Sequence, residues 1–190
     1  MSELLAFVRL GFGHITDPGA LDHILFLLAL AAIYRGREWR ASVWVVSAFT
    51  VGHSITLALA VTGVVRLPTP LIEFFIPVTI VATAVENLLV RDRARAPVGG
   101  RYRPVFAGVF GLVHGAGFAN YLRELFTGSI ALPLFGFNLG IELGQLTILG
   151  VAAMALGLLD QGLGHRRRVV AVSAAVLVLA ARMAVERAPW

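Results

Sequence analysis

Apolar stretches long enough to cross a bilayer recur along the whole chain, separated by short arginine-bearing links. A hydrocarbon core of about 30 Å takes roughly 20 apolar residues per helix. Only helices or closed barrels can cross it, because lipid offers an open backbone no hydrogen bonds. Six spans are expected, at about 20–34, 41–65, 70–90 (with Pro77 inside), 104–121, 131–158 and 169–188. The first is short, so residues 3–14 are expected to form a short N-terminal helix, interfacial or re-entrant. Asp17-Pro18-Gly19 then makes a turn, and Asp22 is placed to cap the helix that follows. The fold class is therefore all-α: one polytopic transmembrane helical bundle over residues 1–190, in a lipid bilayer. The opening MSELLAFVRLGFGHI lacks a basic n-region and a clean cleavage site, so no signal peptide is expected.

Charge is scarce, at 14% of residues against 58% hydrophobic, and mean hydropathy is +0.83. A soluble domain of this size needs more charge to cover its surface. All 16 basic residues are Arg, and most stand between spans, which marks topology rather than nucleic-acid binding. Arg35, Arg37 and Arg40 follow the first span, Arg91, Arg93, Arg95, Arg101 and Arg103 the third, and Arg166, Arg167 and Arg168 the fifth. Only Arg9, Arg66, Arg123, Arg182 and Arg187 lie elsewhere. The positive-inside rule then puts both termini on the non-cytoplasmic side. Gly136, Gly140 and Gly144, four apart, let helices approach closely.

With no cysteine in the chain, thiolate ligands, disulfides and thiol nucleophiles are excluded. Chemistry is left to His, acids and amides, and these are concentrated where lipid makes them expensive. His23 opens the first span beside Asp22, His53 is central in the second, and His114 is central in the fourth. His14 lies just upstream, Glu86 is in the third span, and Glu142 is in the fifth. Asn138, Glu142 and Gln145 share one helical face. Ser54 adjoins His53, although its hydroxyl and that of Thr56 have backbone carbonyls as the simpler partner. Lys is absent and mid-span Arg almost so, which leaves the acids short of cations. A divalent ion such as Ni²⁺, Co²⁺ or Zn²⁺ supplies that charge, and imidazole with carboxylate is the ligand set these ions take when thiolate is lacking. The candidate metal ligands are His14, Asp22, His23, His53, Glu86, His114 and Glu142, with Ser54, Asn138 and Gln145 in support. Their spread from outer to inner leaflet suits a conduction path.

The run GHITDPGALDHILFLLAL, FTVGHSITLALA, Val85-Glu86-Asn87, FGLVHGAGFA and FNLGIELGQL together resemble the HupE/UreJ family over roughly residues 10–150. The resemblance implies a six-helix permease of a bacterial inner membrane, associated with nickel or cobalt uptake. It carries a His…Asp-His signature onto His14, Asp22 and His23, and a His-Gly signature onto His114 and Gly115. Two features depart from the family pattern. Seven residues separate His14 from Asp22, and Ala116, Gly117, Phe118 and Ala119 stand where a second His and a Glu follow in the best-characterised permeases.

The expected function is a permease for a divalent transition metal, with the bilayer and the ion as partners and a homo-oligomer compatible with the sequence. The alternative is an intramembrane zinc-dependent hydrolase acting on a lipid or peptide, in which three ligands leave zinc an open position for water. No HExxH signature is present to favour it. A structural or sensor subunit that locks its helices with the metal is the third reading.

Overall fold

The structure is a computed structural model that describes residues 2–90, 102–125 and 129–190. Helix is the only extended regular structure among them: α1 (Glu3–Thr16), α2 (Leu21–Ala32), a 3-10 turn (Gly36–Glu38), α3 (Trp39–Val61), α4 (Thr69–Leu89), α5 (Arg103–Gly117), α6 (Ala119–Leu125), α7 (Ala131–Leu163) and α8 (His165–Glu186). Arg91, Arg93, Arg95 and Arg101 of the expected basic link lie outside the described residues.

Large apolar side chains cover the outside of the bundle as well as its core. Trp44, Val51, Met154, Leu158 and Val178 are exposed on the outer faces, while His53, Asn87, Gln145 and Ser173 are buried. Apolar atoms outside and polar atoms inside are what a lipid solvent selects. Against the six expected spans, four segments are long and apolar enough to cross: Gly36–Val61, Thr69–Leu89, Ala131–Leu163 and His165–Glu186. The pair α1 and α2, bent by 72°, counts as a fifth if taken as one broken span. The expected fourth span is split instead. Its helix α5 has 15 residues, and the glycine-rich run at 111–117, poor in helix propensity, gives way at Phe118 to the short α6. Pro77 stays inside a continuous α4.

Three helix pairs carry most of the packing, α3 with α5, α1 with α7, and α4 with α8. Glycine makes the first two. A methyl group on Gly140 would overlap the Val8 carbonyl, and one on Gly11 the Phe137 carbonyl. Gly136 faces Leu4 and Phe7, Gly140 faces Val8, and Gly144 faces Phe12 and Ile15, so α1 and α7 run parallel. The expected close approach along 136–144 is realised, and its partner is α1, which is packed along a long helix rather than left at the interface. In the same way Gly52 meets Gly108, while Gly111 and Gly115 meet the backbone at Phe49 and His53, so α3 and α5 are also parallel. The pair α4 and α8 is antiparallel: Phe74 meets Trp190 at one end, and Arg166 meets the last turn of α4 at the other.

Arginines close the helix ends. Arg166 donates to the carbonyls of Asn87, Leu88 and Val90 at the C-terminus of α4. Arg168 donates to those of Ala32 and Tyr34 beyond α2 and to Asp160 at 2.7 Å. Arg123 does the same for Ala60 and Val61 at the end of α3. Terminal carbonyls have no intrahelical donor, and cations favour that end of the helix dipole. The arginines that mark topology therefore also terminate helices.

Gly140→Leu is expected to lower the thermal midpoint of the detergent-solubilised protein, with overpacking costing about 1–3 kcal/mol. Gly150→Leu, on the same helix with open space around it, should leave the midpoint nearly unchanged; equal effects would show that close approach at Gly140 is not what holds α1. Arg168 is 1% exposed, so Arg168→Ala strands Asp160 and two carbonyls and should cost about 3–5 kcal/mol. Arg167→Ala, on the exposed side of the same turn, should fall within about 0.5 kcal/mol of the parent in the same melt.

Candidate metal centre

The site forms at the break between α1 and α2. Asp17 precedes Pro18, and the residue before proline is driven out of the helical region; Asp17 is extended, at φ −63° and ψ 121°. Its Oδ1 accepts from the Gly19 amide at 2.8 Å, an Asx turn at the 72° bend between α1 and α2. Asp17 is thus a turn former, as its sequence context indicates. With 14 residues in α1 and 12 in α2, neither crosses about 30 Å at 1.5 Å per residue, but the two in series do. His14, Asp22 and His23 flank the break between them.

Asp22 is not the expected N-cap. Ala20 holds that position, and no side chain caps the helix. Asp22 lies in the first turn, where a carboxylate favours the helix dipole. Its Oδ1 accepts from the His23 amide at 2.9 Å and faces His23 Nδ1 at 3.1 Å. A carboxylate only accepts, so Nδ1 carries the proton and the lone pair of His23 is on Nε2. The other Asp22 oxygen takes Arg187 Nη1 at 3.2 Å.

His114 is delivered by glycine. Methyl groups on Gly111 or Gly115 would overlap the carbonyls of Phe49 and His53, so their absence lets α5 lie against α3 beside His53. The His114 Nδ1 stands 2.8 Å from the Phe110 carbonyl, which again only accepts and leaves the lone pair on Nε2. Three imidazoles surround that of His23: its ring centroid is 4.6 Å from that of His14, 5.9 Å from His114 and 6.5 Å from His53. Phe26, Phe49, Phe118 and Phe137 wall the group with aromatic rings. A cavity of about 300 Å³ opens onto it, lined by His14, Asp22, His23, Glu73, His114 and Arg187 among others.

Five buried ring nitrogens in this group have no hydrogen-bond partner among the described residues: Nε2 of His14, His23 and His114, and both nitrogens of His53. Each such atom costs about 1–3 kcal/mol if left unanswered, and five of them in one volume are more than a packed core ordinarily leaves unpaired. Two of the four free Nε2 atoms, those of His23 and His114, have their opposite nitrogen already fixed by an acceptor, the arrangement of metal-ligating histidines. Imidazoles that share an ion at about 2.0–2.1 Å stand on the order of 5 Å apart between ring centres, and the two shortest spacings bracket that figure. As the side chains stand, no three His, Asp or Glu donors among the described residues form a closed metal site; the donors ring the chamber without meeting at a point.

The other expected ligands lie elsewhere. Glu86 accepts from Tyr102 and Arg103, at the α4–α5 end near Asn87. Burial, then the bond to Glu86, pushes the Tyr102 phenol up to about 12, so it stays a donor there. Glu142 accepts from Ser47 at 2.6 Å and Gln145 from Thr50 at 2.6 Å, both across α3 and α7. Asn138 keeps a buried Oδ1 with no partner among the described residues. Ser54 donates to the Thr50 carbonyl at 2.7 Å, the backbone bond that was its simpler reading. The shortage of cations read from the sequence is corrected at two of the three acids, because Arg103 pairs with Glu86 and Arg187 with Asp22. Both arginines come from helix ends that fold back onto the bundle. Arg187 and Glu73 were not among the expected site residues, and only their place at the cavity reveals them.

The family model described as HupE / UreJ protein matches residues 1–187. No curated protein and no solved structure matches the chain. The matched span takes in both sides of the α1–α2 break, all four chamber histidines and the arginine that closes on Asp22. The chain belongs to the HupE/UreJ family, which is associated with nickel and cobalt transport.

Proposed function

We propose that the protein is a permease for a divalent transition metal, nickel or cobalt, which it binds in the histidine chamber at the α1–α2 break. The observation that carries this reading is the convergence of His14, His23, His53 and His114 from four helices, with five orphaned ring nitrogens between them. Neutral imidazoles suit borderline cations. Asp22 would orient His23 through Nδ1 and add negative charge, while the aromatic wall keeps the surroundings apolar.

Six crossings account for the helix directions. If α1 and α2 make one broken crossing and α5 a short one, then α1, α4 and α7 run one way and α3, α5 and α8 the other. The parallel pairs α1/α7 and α3/α5 and the antiparallel pair α4/α8 all agree with this. Arg35, Arg103, Arg166 and Arg168 then lie at one end, which the positive-inside rule assigns to the cytoplasm of a bacterial inner membrane, with both termini opposite. The chamber opens toward the non-cytoplasmic side, where an incoming ion arrives. A membrane potential of 100 mV supplies about 2.3 kcal/mol per charge, so a divalent ion moving inward gains about twice that without a nucleotide-driven partner.

Cells or liposomes carrying the full chain should accumulate radiolabelled nickel or cobalt. His53→Ala and His114→Ala should abolish accumulation while the protein remains folded in the membrane; accumulation at the parental rate in both would overturn the reading. Asp22→Asn keeps the shape but removes the charge behind His23, and should weaken nickel binding by about 10–100-fold in equilibrium dialysis.

A further inference from the structure

Inward of the histidine chamber, a line of polar groups continues along the seam between α3 and α7. Thr50 lies one turn from His53 on the same helix, and its hydroxyl bonds Gln145, which is 1% exposed. Three residues further toward the N-terminus of α3, Ser47 bonds Glu142. Glu142 is a half-buried carboxylate within a membrane helix, and Ser47 is its sole hydrogen-bond partner among the described residues, with no arginine in a salt bridge to it. Next along α3 is Ser42, buried and with its hydroxyl unpartnered among the described residues. Ser42 and Leu146 line a second cavity of about 220 Å³, which reaches Tyr34, Asp160 and Arg168 at the arginine-bearing end. Along α3 these polar side chains occupy the stretch between His53 and the second cavity, with Ser47 and Glu142 half-buried at its edge and Val51 and Leu143 exposed on the same two helices.

We propose that this seam is the inward leg of the metal's path, in which Ser47, Thr50, Glu142 and Gln145 form an oxygen-donor station for a partly hydrated divalent cation. The inference rests on the permease reading and adds where the ion goes after the chamber. Three observations support it together. Glu142 is an intramembrane acid without a basic partner, whereas Glu86 and Asp22 each have an arginine. The Thr50 hydroxyl has one proton for two acceptors, the Val46 carbonyl at 3.2 Å and Gln145 Oε1 at 2.6 Å, and Gln145 Nε2 is buried without a partner. The polar groups of the seam are therefore under-satisfied, as in a site that exchanges ligands. Lastly, oxygen donors hold borderline ions less tightly than imidazole does, so a station of this kind passes the ion on rather than trapping it.

Nickel uptake and nickel binding, measured on the reconstituted full chain, separate the two steps. Glu142→Gln keeps the size of the side chain and an acceptor for Ser47. It should lower uptake by about tenfold or more while leaving equilibrium binding within about twofold of the parent. Gln145→Leu should act in the same direction. Uptake at the parental rate in Glu142→Gln would overturn the inference and leave the permease reading intact. So would a loss of binding in proportion to the loss of uptake, which would make Glu142 a chamber ligand. A parent protein that neither binds nor carries nickel would overturn both. Because the chain has no cysteine, Ser47→Cys gives a second measurement that does not depend on turnover. A small cationic thiol reagent applied from the arginine-bearing side should modify it, nickel should slow the reaction, and Leu143→Cys on the outer face of α7 should stay unmodified. Equal labelling of the two, or no labelling of Ser47→Cys, would show that no aqueous path runs through the seam.

Discussion

Hydrocarbon hydrogen-bonds nothing, so a chain folding in it must answer each polar group with its own atoms or keep that group beside water. Helices settle the backbone except at their ends, and this bundle closes several ends with guanidinium groups. Arg166 spans three terminal carbonyls of α4, Arg168 two beyond α2, and Arg123 two of α3. Each of these contacts crosses between helices, so closing a helix end also fixes a neighbour. The exception is the break between α1 and α2, where the turn at 17–19 interrupts the helix and several buried side-chain nitrogens around it are short of partners among the described residues. Irregular backbone within a membrane is tolerated where it lines a cavity, and a cavity is what it lines.

Glycine determines where the histidines can be. With side chains at 111 and 115, α5 would stand further from α3, and His114 would withdraw from His53. With side chains at 11 and 140, α1 would move off α7 and take His14 with it. The chamber is therefore assembled from two tightly packed pairs, α1/α7 and α3/α5, with His23 between them on α2. Within each pair, interlocked backbones resist sliding. The imidazole spacings of 4.6–6.5 Å are set between the pairs and across α2. If the proposed ion binds there, small shifts between the two pairs would suffice to bring the donors together.

The helical class and the histidines were legible because both depend on one-dimensional signals: apolar run length, and polar residues at positions where lipid penalises them. The glycine spacing at 136–144 was legible as close packing, but its partner was not, since nothing in the sequence of α1 says which helix it will follow. The length of α5 was misread because apolar count does not register the glycines at 111, 115 and 117 that weaken its end. The arginine partners of Glu86 and Asp22 were missed for a different reason. Arg103 and Arg187 are at helix ends in sequence, and a linear reading leaves them in water or headgroups, whereas the fold turns Arg103 inward to 4% exposure and brings Arg187 against the first turn of α2.

These pairings sort the three membrane acids by role. Glu86, held by Arg103 and Tyr102, is neutralised locally and ties α4 to α5. Asp22 is shared between His23 and Arg187, so its charge both orients a ring and holds the end of α8 at the cavity mouth. In the proposed permease, an arriving cation would compete with Arg187 for that carboxylate, which would couple the ion's arrival to the wall of the chamber. Glu142 alone has no basic partner in a salt bridge among the described residues. Ordering the donors along the bundle gives a carboxylate and arginine at the mouth, imidazoles in the chamber, then hydroxyl, amide and carboxylate oxygens in the seam. For a borderline divalent ion that order runs from capture, through the tightest ligands, to weaker ones. On the proposed reading, a site meant only to hold its metal would need no donors beyond the imidazoles, and the pairs Ser47–Glu142 and Thr50–Gln145 lie beyond them toward the arginine-bearing end.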